Sequence, residues 1–288
     1  MEKYYRFAGV EVTICIPDQW MYEEDRQLAP FRVAQVCDPH IFSFELVDSI
    51  SEPVGTLEAV VDGARIYRNG NCYVRYIGSV QEDWKLGYAR AEYGDKQHFV
   101  QVRRNEFSNR IPVKTVLNSL GLEHLTAMEG GFVFHCSFVA RDNGAILFTA
   151  PSGTGKSTQA DLWRDFRNAE IINGDRAAVC VKEGRVFAEG IPFSGSSSYC
   201  KMATLPVSAI VYLSQAPQTT IRKLRGMEAF AKIWEGVGLN TWIRQDVEKV
   251  SDAVRQVATE IPVYHLACTP DESAVIALED VLRKQELV

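Results

Sequence analysis

Apolar and polar residues alternate in short runs through the first part of the chain, at 4–16, 31–36, 41–47 and 88–102. A period of two sends successive side chains to opposite faces, so these runs predict half-buried strands. In RIYRNGNCYVRY, Asn69-Gly70 separates two such runs and supplies residues tolerant of positive φ, as a tight hairpin requires. A second hairpin is expected at Gly94-Asp95. The pattern then changes. Val113, Val116, Leu117 and Leu120 fall at helical spacing, Gly121 interrupts them, and 132–140 predicts one strand. Asn143-Gly144 turns into the apolar run 145–149, a glycine-rich loop follows, and a helix is predicted over 158–166. Strands are predicted at 169–173, 207–213 and 219–224, with a hairpin of 177–182 and 185–189 about Glu183-Gly184. Helices are predicted over 227–234 and 246–259. Thr269-Pro270-Asp271-Glu272 predicts a last helix with Thr269 as N-cap, Pro270 at the first helical position and Glu272 closing a capping box. The chain therefore reads as α/β, with a β-rich region at 1–115 and a second domain at 116–288.

Composition narrows the class. With 46% hydrophobic and 24% charged residues over 288 positions, the chain has the make-up of a globular protein with a sizeable core. A net charge of −6 and a pI near 5.5 leave no basic footprint for a phosphate backbone, so nucleic acid is not an expected partner. The opening MEKYYRFAGVEVTIC carries charges at Glu2, Lys3 and Arg6 in place of an unbroken apolar signal, and no apolar run is long enough for a membrane span. Seven cysteines, at 15, 37, 72, 136, 180, 200 and 268, are scattered and form no C-x-x-C pair. They read as reduced thiols, and a cytoplasmic location is expected. The five histidines do not fall at zinc-ligand spacing with cysteine or carboxylate. Homo-oligomerisation is left open.

The segment Ala150-Pro151-Ser152-Gly153-Thr154-Gly155-Lys156-Ser157-Thr158 follows the P-loop pattern, with Ala150 in place of the first glycine. Gly153 and Gly155 let backbone N–H groups converge on phosphate without Cβ obstruction, and the following helix N-terminus adds its dipole. Lys156, expected as a solvent-facing cation, neutralises the β- and γ-phosphates. Ser157 places a hydroxyl where Mg²⁺ bridges the phosphate oxygens. Residues 152–158 are thus the expected cradle for a nucleoside triphosphate, ATP being the expected donor.

The neighbouring residues point to a kinase family. FHCSFVARDNGAILFTAPSGTGKST, from Phe134 to Thr158, resembles the strand–turn–strand–loop segment of HPr kinase/phosphorylase, in which a histidine precedes the loop by the same interval. PEP carboxykinases are similar in their Ser-Gly-Thr-Gly-Lys loop, and the two families share a nucleotide-binding fold. Ile171-Ile172-Asn173-Gly174-Asp175-Arg176 resembles the aspartate pair that ends the next strand in both, with one acid missing. Anchored on the arginine, Gly174 replaces the first acid and Asp175 matches the second. The resemblance implies a kinase core of the HPr kinase/PEP carboxykinase type, moving the γ-phosphoryl group of ATP to a hydroxyl of a protein, peptide or small molecule, with Lys156, Asp175 and His135 catalytic and Mg²⁺ held by Ser157 and Asp175. Two assignments stay open: Asp175 binds metal while His135 or Glu189 accepts the proton, or Asp175 is itself the base. A nucleotide-binding regulatory protein without transfer activity is the alternative, and a carboxykinase ranks below it because that enzyme type is longer.

Other candidates carry less. The stretch 194–201, SGSSSYCK, reads as a loop near the phosphates, and its Lys201 is a candidate phosphate or acceptor contact. Arg222, Lys223 and Arg225 read as surface charge, since alternate strand residues face opposite sides. Cys200 has no histidine paired with it in sequence and is not expected to be a nucleophile.

Overall fold

The computed structural model describes residues 1–18, 20, 27–61, 63–78, 87–104, 111, 113–195, 197 and 199–286. They fall into two compact units, Met1–Arg6 with Val10–Leu125, and Phe7–Gly9 with Thr126–Val288. The division at Leu125/Thr126 comes after the change of hydrophobic pattern.

The first sheet has nine strands: β1 (Glu2–Phe7), β2 (Val10–Cys15), β3 (Arg32–Val33), β4 (His40–Val47), β5 (Thr56–Val61), β6 (Ala64–Asn69), β7 (Cys72–Ile77), β8 (Gly87–Glu92) and β9 (Gln97–Arg103). Their order is β3-β1-β2-β4-β9-β8-β7-β6-β5. The expected hairpin forms, but one residue further on: Asn69 ends β6 opposite Cys72, and Gly70-Asn71 make the turn with Gly70 at φ 61°. The second turn forms with Gly94 at φ 82°, closed by the Asp95 side chain accepting from Gln97 N at 3.1 Å. Inside this unit His40 and His98 are buried as a pair, Nδ1 to Nε2 at 2.9 Å, with Phe42 stacked on His98 at 4.1 Å between ring centroids. Burial pulls their pKa values down to about 4 and about 3. Helix α1 (Val113–Leu120) ends at Gly121, whose φ of 63° breaks the helical path before α2 (Leu122–Met128) begins.

The second sheet has ten strands: β10 (Gly131–His135), β11 (Ser137–Arg141), β12 (Gly144–Thr149), β13 (Glu170–Asn173), β14 (Arg176–Lys182), β15 (Arg185–Glu189), β16 (Thr204–Gln215), β17 (Thr220–Leu224), β18 (Val237–Gly238) and β19 (Val263–Cys268). Four helices accompany it: α3 (Lys156–Arg167), α4 (Gly226–Trp234), α5 (Arg244–Glu260) and α6 (Glu272–Glu286). The long β16 joins two parts. It pairs with β15 near its start, and with β12 and β19 in parallel beyond that. Residues of β12 alternate between two cores. Leu147 packs with Phe132, Phe134 and the α5 residues Val250 and Val254, whereas Ile146 and Phe148 pack with Trp163 of α3 and Leu278 of α6. Cover on both faces is why β12 reads as an unbroken apolar run.

Two sequence expectations change here. The single strand expected over 132–140 is two, because the chain leaves β10 at Cys136, whose N–H donates to Asp175 O at 3.1 Å; β10 then pairs with β14, and β11 with β12 and β13. The last helix starts at Glu272, and Asp271, not Thr269, caps it by accepting from Ser273 N at 2.9 Å. β19, a strand not among those predicted from the sequence, lies between β16 and β17.

Candidate functional site

The loop at 150–155 leaves the buried end of β12 and enters α3 at Lys156. Gly153 and Gly155 have φ of 76° and 121°, and a Cβ at either would meet nothing within 4 Å. Positive φ explains glycine at both positions, and the open space beyond leaves the loop backbone accessible. Lys156 departs from expectation: it is 8% exposed, not solvent-facing. Its ammonium donates to Ala150 O at 3.0 Å and more weakly to Pro151 O at 3.5 Å. Burial pushes its pKa down, against the pull of the nearby Asp175 carboxylate.

Asp175 faces this loop across a cleft of about 540 Å³, lined also by His135, Lys156, Ser157, Ser194 and Tyr199. Its position is set by Asn173, which sequence reasoning passed over. Buried Asn173 donates through Nδ2 to Ile191 O at 3.1 Å and Phe193 O at 2.8 Å, and its Oδ1 accepts from Asp175 N at 2.9 Å and Arg176 N at 3.1 Å. That uses both amide donors and both lone pairs of its oxygen. The Asn-Gly-Asp order was the available signal, since asparagine readily bonds the backbone two residues on. Asp175 Oδ2 accepts from Arg176 Nε at 2.8 Å, and its Oδ1 lies 3.6 Å from His135 Nε2, too long for a direct hydrogen bond. His135 stands opposite Arg176 in the β10–β14 ladder, which brings it beside Asp175. Burial and the Lys156 ammonium lower the His135 pKa, and Asp175 opposes them.

Gly174 leaves no room for a second acid. A Cβ there would stand 2.2 Å from Ser197 Oγ and 2.7 Å from Ser197 Cβ. Gly195, at φ 54°, lets the next loop pass over Asp175, because a Cβ there would come within 2.8 Å of the carboxyl carbon. The loop is held by Ser197 N donating to Ser194 O at 2.8 Å and by Lys201 N donating to Ile172 O at 3.0 Å; Ser196 and Ser198 lie outside the described residues.

Of the expected cradle, Ser152, Gly153, Gly155, Lys156, Ser157 and Thr158 line the cleft. Thr154 does not; its carbonyl accepts from Gln215 Nε2 at 3.5 Å. Glu189 is buried in an ion pair with Lys182 at 2.5 Å and accepts Gly9 N at 2.8 Å, away from the cleft lining. Lys201 pairs with Glu170 at 2.6 Å, and the Cys200 thiol is buried against Ile191 O. Oxygen donors suit Mg²⁺, which keeps waters and phosphate oxygens in its shell, and Ser157 and Asp175 supply a hydroxyl and a carboxylate. Among the described residues no group of three or more His, Cys, Asp or Glu is placed to hold a metal by itself. Nor is any helix long and apolar enough to cross a membrane.

No family model matches the chain, and no curated protein matches it. Among solved structures, the Hpr(Ser) kinase/phosphatase from Coxiella burnetii aligns over 54% of this chain and 96% of its own, at 12% identity and a TM-score of 0.32. That likeness is one of fold alone.

Proposed function

We propose that the chain is an ATP- and Mg²⁺-dependent phosphotransferase that moves the γ-phosphoryl group to a hydroxyl of a protein, peptide or small molecule. The observation that supports this is convergence: an open glycine-bordered loop, the Lys156 ammonium, the Ser157 hydroxyl and the Asp175–His135 pair all border one cleft. Phosphoryl transfer asks mainly for positioning and charge neutralisation, and those groups supply both. Loop N–H groups and Lys156 hold the β- and γ-phosphates, with Lys156 exchanging its contact with Ala150 O for phosphate. Ser157 and Asp175 would hold Mg²⁺, which would supply neutralisation of charge on the phosphate oxygens. The acceptor oxygen bonds to the γ-phosphorus as the bond to the leaving diphosphate breaks. Its proton passes to His135, which the lowered pKa keeps neutral at pH 7. The seven free cysteines, five of them buried, suit a cytoplasmic setting.

A nucleotide-binding regulatory protein is the second reading, favoured by Gly174, where Ser197 leaves no space for another acid. Incubation of the full chain with γ-labelled ATP and Mg²⁺, with and without cell extract, separates the two. Label in a serine or other hydroxyl is the expected result. Nucleotide binding without transfer to any acceptor supports the regulatory reading, and absence of binding defeats both.

A further inference from the structure

A second, larger cavity of about 1360 Å³ opens at the start of β19, whereas the glycine-rich loop leaves the end of the parallel strand β12. The two therefore lie at opposite ends of the parallel strands. Along this cavity runs β17, four of whose residues, Ile221 to Leu224, line it. β17 pairs with β19 on one side, and among the described residues no strand pairs with the other. An open strand edge presents unpaired N–H and C=O groups, ready to pair with another extended chain. The same cavity has apolar lining from Met227 and Phe230 of α4, Ile261, and Val281 of α6. Met227 is 78% exposed, although it sits on a helix whose other face is buried.

The charge lining the cavity is mainly positive. Lys223, Arg225 and Lys284 line it and make no ion pair among the described residues. Arg222 is tied to Glu228 and Arg255 to Asp252, and Glu260 is the sole lining carboxylate. This local excess of cations stands on a chain of net charge −6, so overall charge does not account for it. An alkyl chain in the cavity would leave the β17 edge without partners. An extended peptide would satisfy it, direct alternate side chains to the apolar walls, and bring carboxylates to the free cations.

We propose that this groove is a docking site for an extended peptide segment of a protein partner, one that alternates apolar and acidic residues and adds as a strand to β17. It stands independently of the phosphoryl-transfer reading. Edge lysines also discourage self-pairing of sheets, and the test separates that role from docking. Random peptides of about 8–10 residues, enough for one strand and its flanks, are displayed and selected against the full chain. Lys223→Glu/Arg225→Glu serves as the counter-target. Lys284→Glu, on a different element, is the second variant, and all three positions are exposed. Selected sequences should be rich in Asp and Glu alternating with Val, Ile or Leu. Their affinity should fall about tenfold or more in either variant with melting unchanged, weaken with salt, and vanish when alternate backbone amides of the peptide are N-methylated. Absence of selectable peptides leaves the charges as guards of the edge and overturns the proposal. So does binding indifferent to the variants or to N-methylation.

Discussion

Replacement of Lys156 by methionine should separate folding from nucleotide binding. Without ligand, the ammonium makes one good hydrogen bond, to Ala150 O at 3.0 Å, in a place where burial already disfavours its charge. Methionine has similar length, so the change removes a charge-assisted bond of about 1.5–3 kcal/mol and relieves a desolvated cation, and the two effects oppose each other. The net change should stay within about 1 kcal/mol, which is about 4 °C or less in melting temperature for a unit of this size. With ATP at about 100 times its dissociation constant, the parent should gain about 2.7 kcal/mol, or roughly 5–11 °C. Loss of a charge-assisted contact of about 1.5–3 kcal/mol raises the dissociation constant by about 10–150-fold. At the same ATP concentration Lys156→Met should therefore keep only about 0.3–1.3 kcal/mol of that gain. Scanning calorimetry on both proteins, with and without ATP–Mg²⁺, reads all four values. A full ATP shift in the variant would refute the phosphate role of Lys156, and a large loss of melting temperature without ATP would make it a structural residue instead.

Asp175→Asn should retain the ATP-dependent melting shift but lose most Mg²⁺-dependent transfer, as measured with the labelled acceptor; full turnover would remove this carboxylate from the mechanism. His135 must be neutral to take a proton, and its pKa is lowered, so turnover should rise through an acid limb centred below pH 6.5 and level off above it. His135→Gln should abolish that limb, and a limb that persists with less than a tenfold fall in rate would return the residue to a packing role. Asn173→Ala leaves four backbone partners of one buried side chain unmatched, at about 1 kcal/mol each. It should lower the melting temperature by roughly 8–16 °C and misplace Asp175, whereas near-parent stability would show that the network is dispensable. For the buried His40–His98 pair, both folded-state pKa values lie below 6.5, so the unfolded chain binds more protons as pH falls. The stability of the first unit should be intact above pH 6.5 and decline toward pH 3, by about 1.4 kcal/mol per pH unit for each proton; an unfolding curve flat over that range contradicts neutral burial of the pair.

Local patterns were legible in the sequence because their causes are local. Gly70 and Glu183-Gly184 set hairpins through backbone dihedrals, although the first turn falls one residue later than Asn69-Gly70 suggested, and the unbroken apolar run of β12 followed by glycines and Lys156 marked a strand, a loop and a helix. The candidate residues Lys156, Ser157, Asp175 and His135 could be named from their order along the chain. Their arrangement could not. His135 meets Asp175 only because β10 pairs with β14 in one register, and the chain's turn at Cys136, hidden inside an apparently continuous strand, decides which neighbours β10 and β11 take. Glu189 and Lys201 had the right chemistry for the cleft but were claimed by Lys182 and Glu170, partners that a linear pattern does not reveal. Gly174 reads in sequence as a missing acid, and Ser197, brought over it by the next loop, makes it a position without space for a side chain. Periodicity and turn chemistry act over a few residues, whereas ion pairing, burial of Lys156 and the open edge of β17 depend on segments that only the folded sheet brings together.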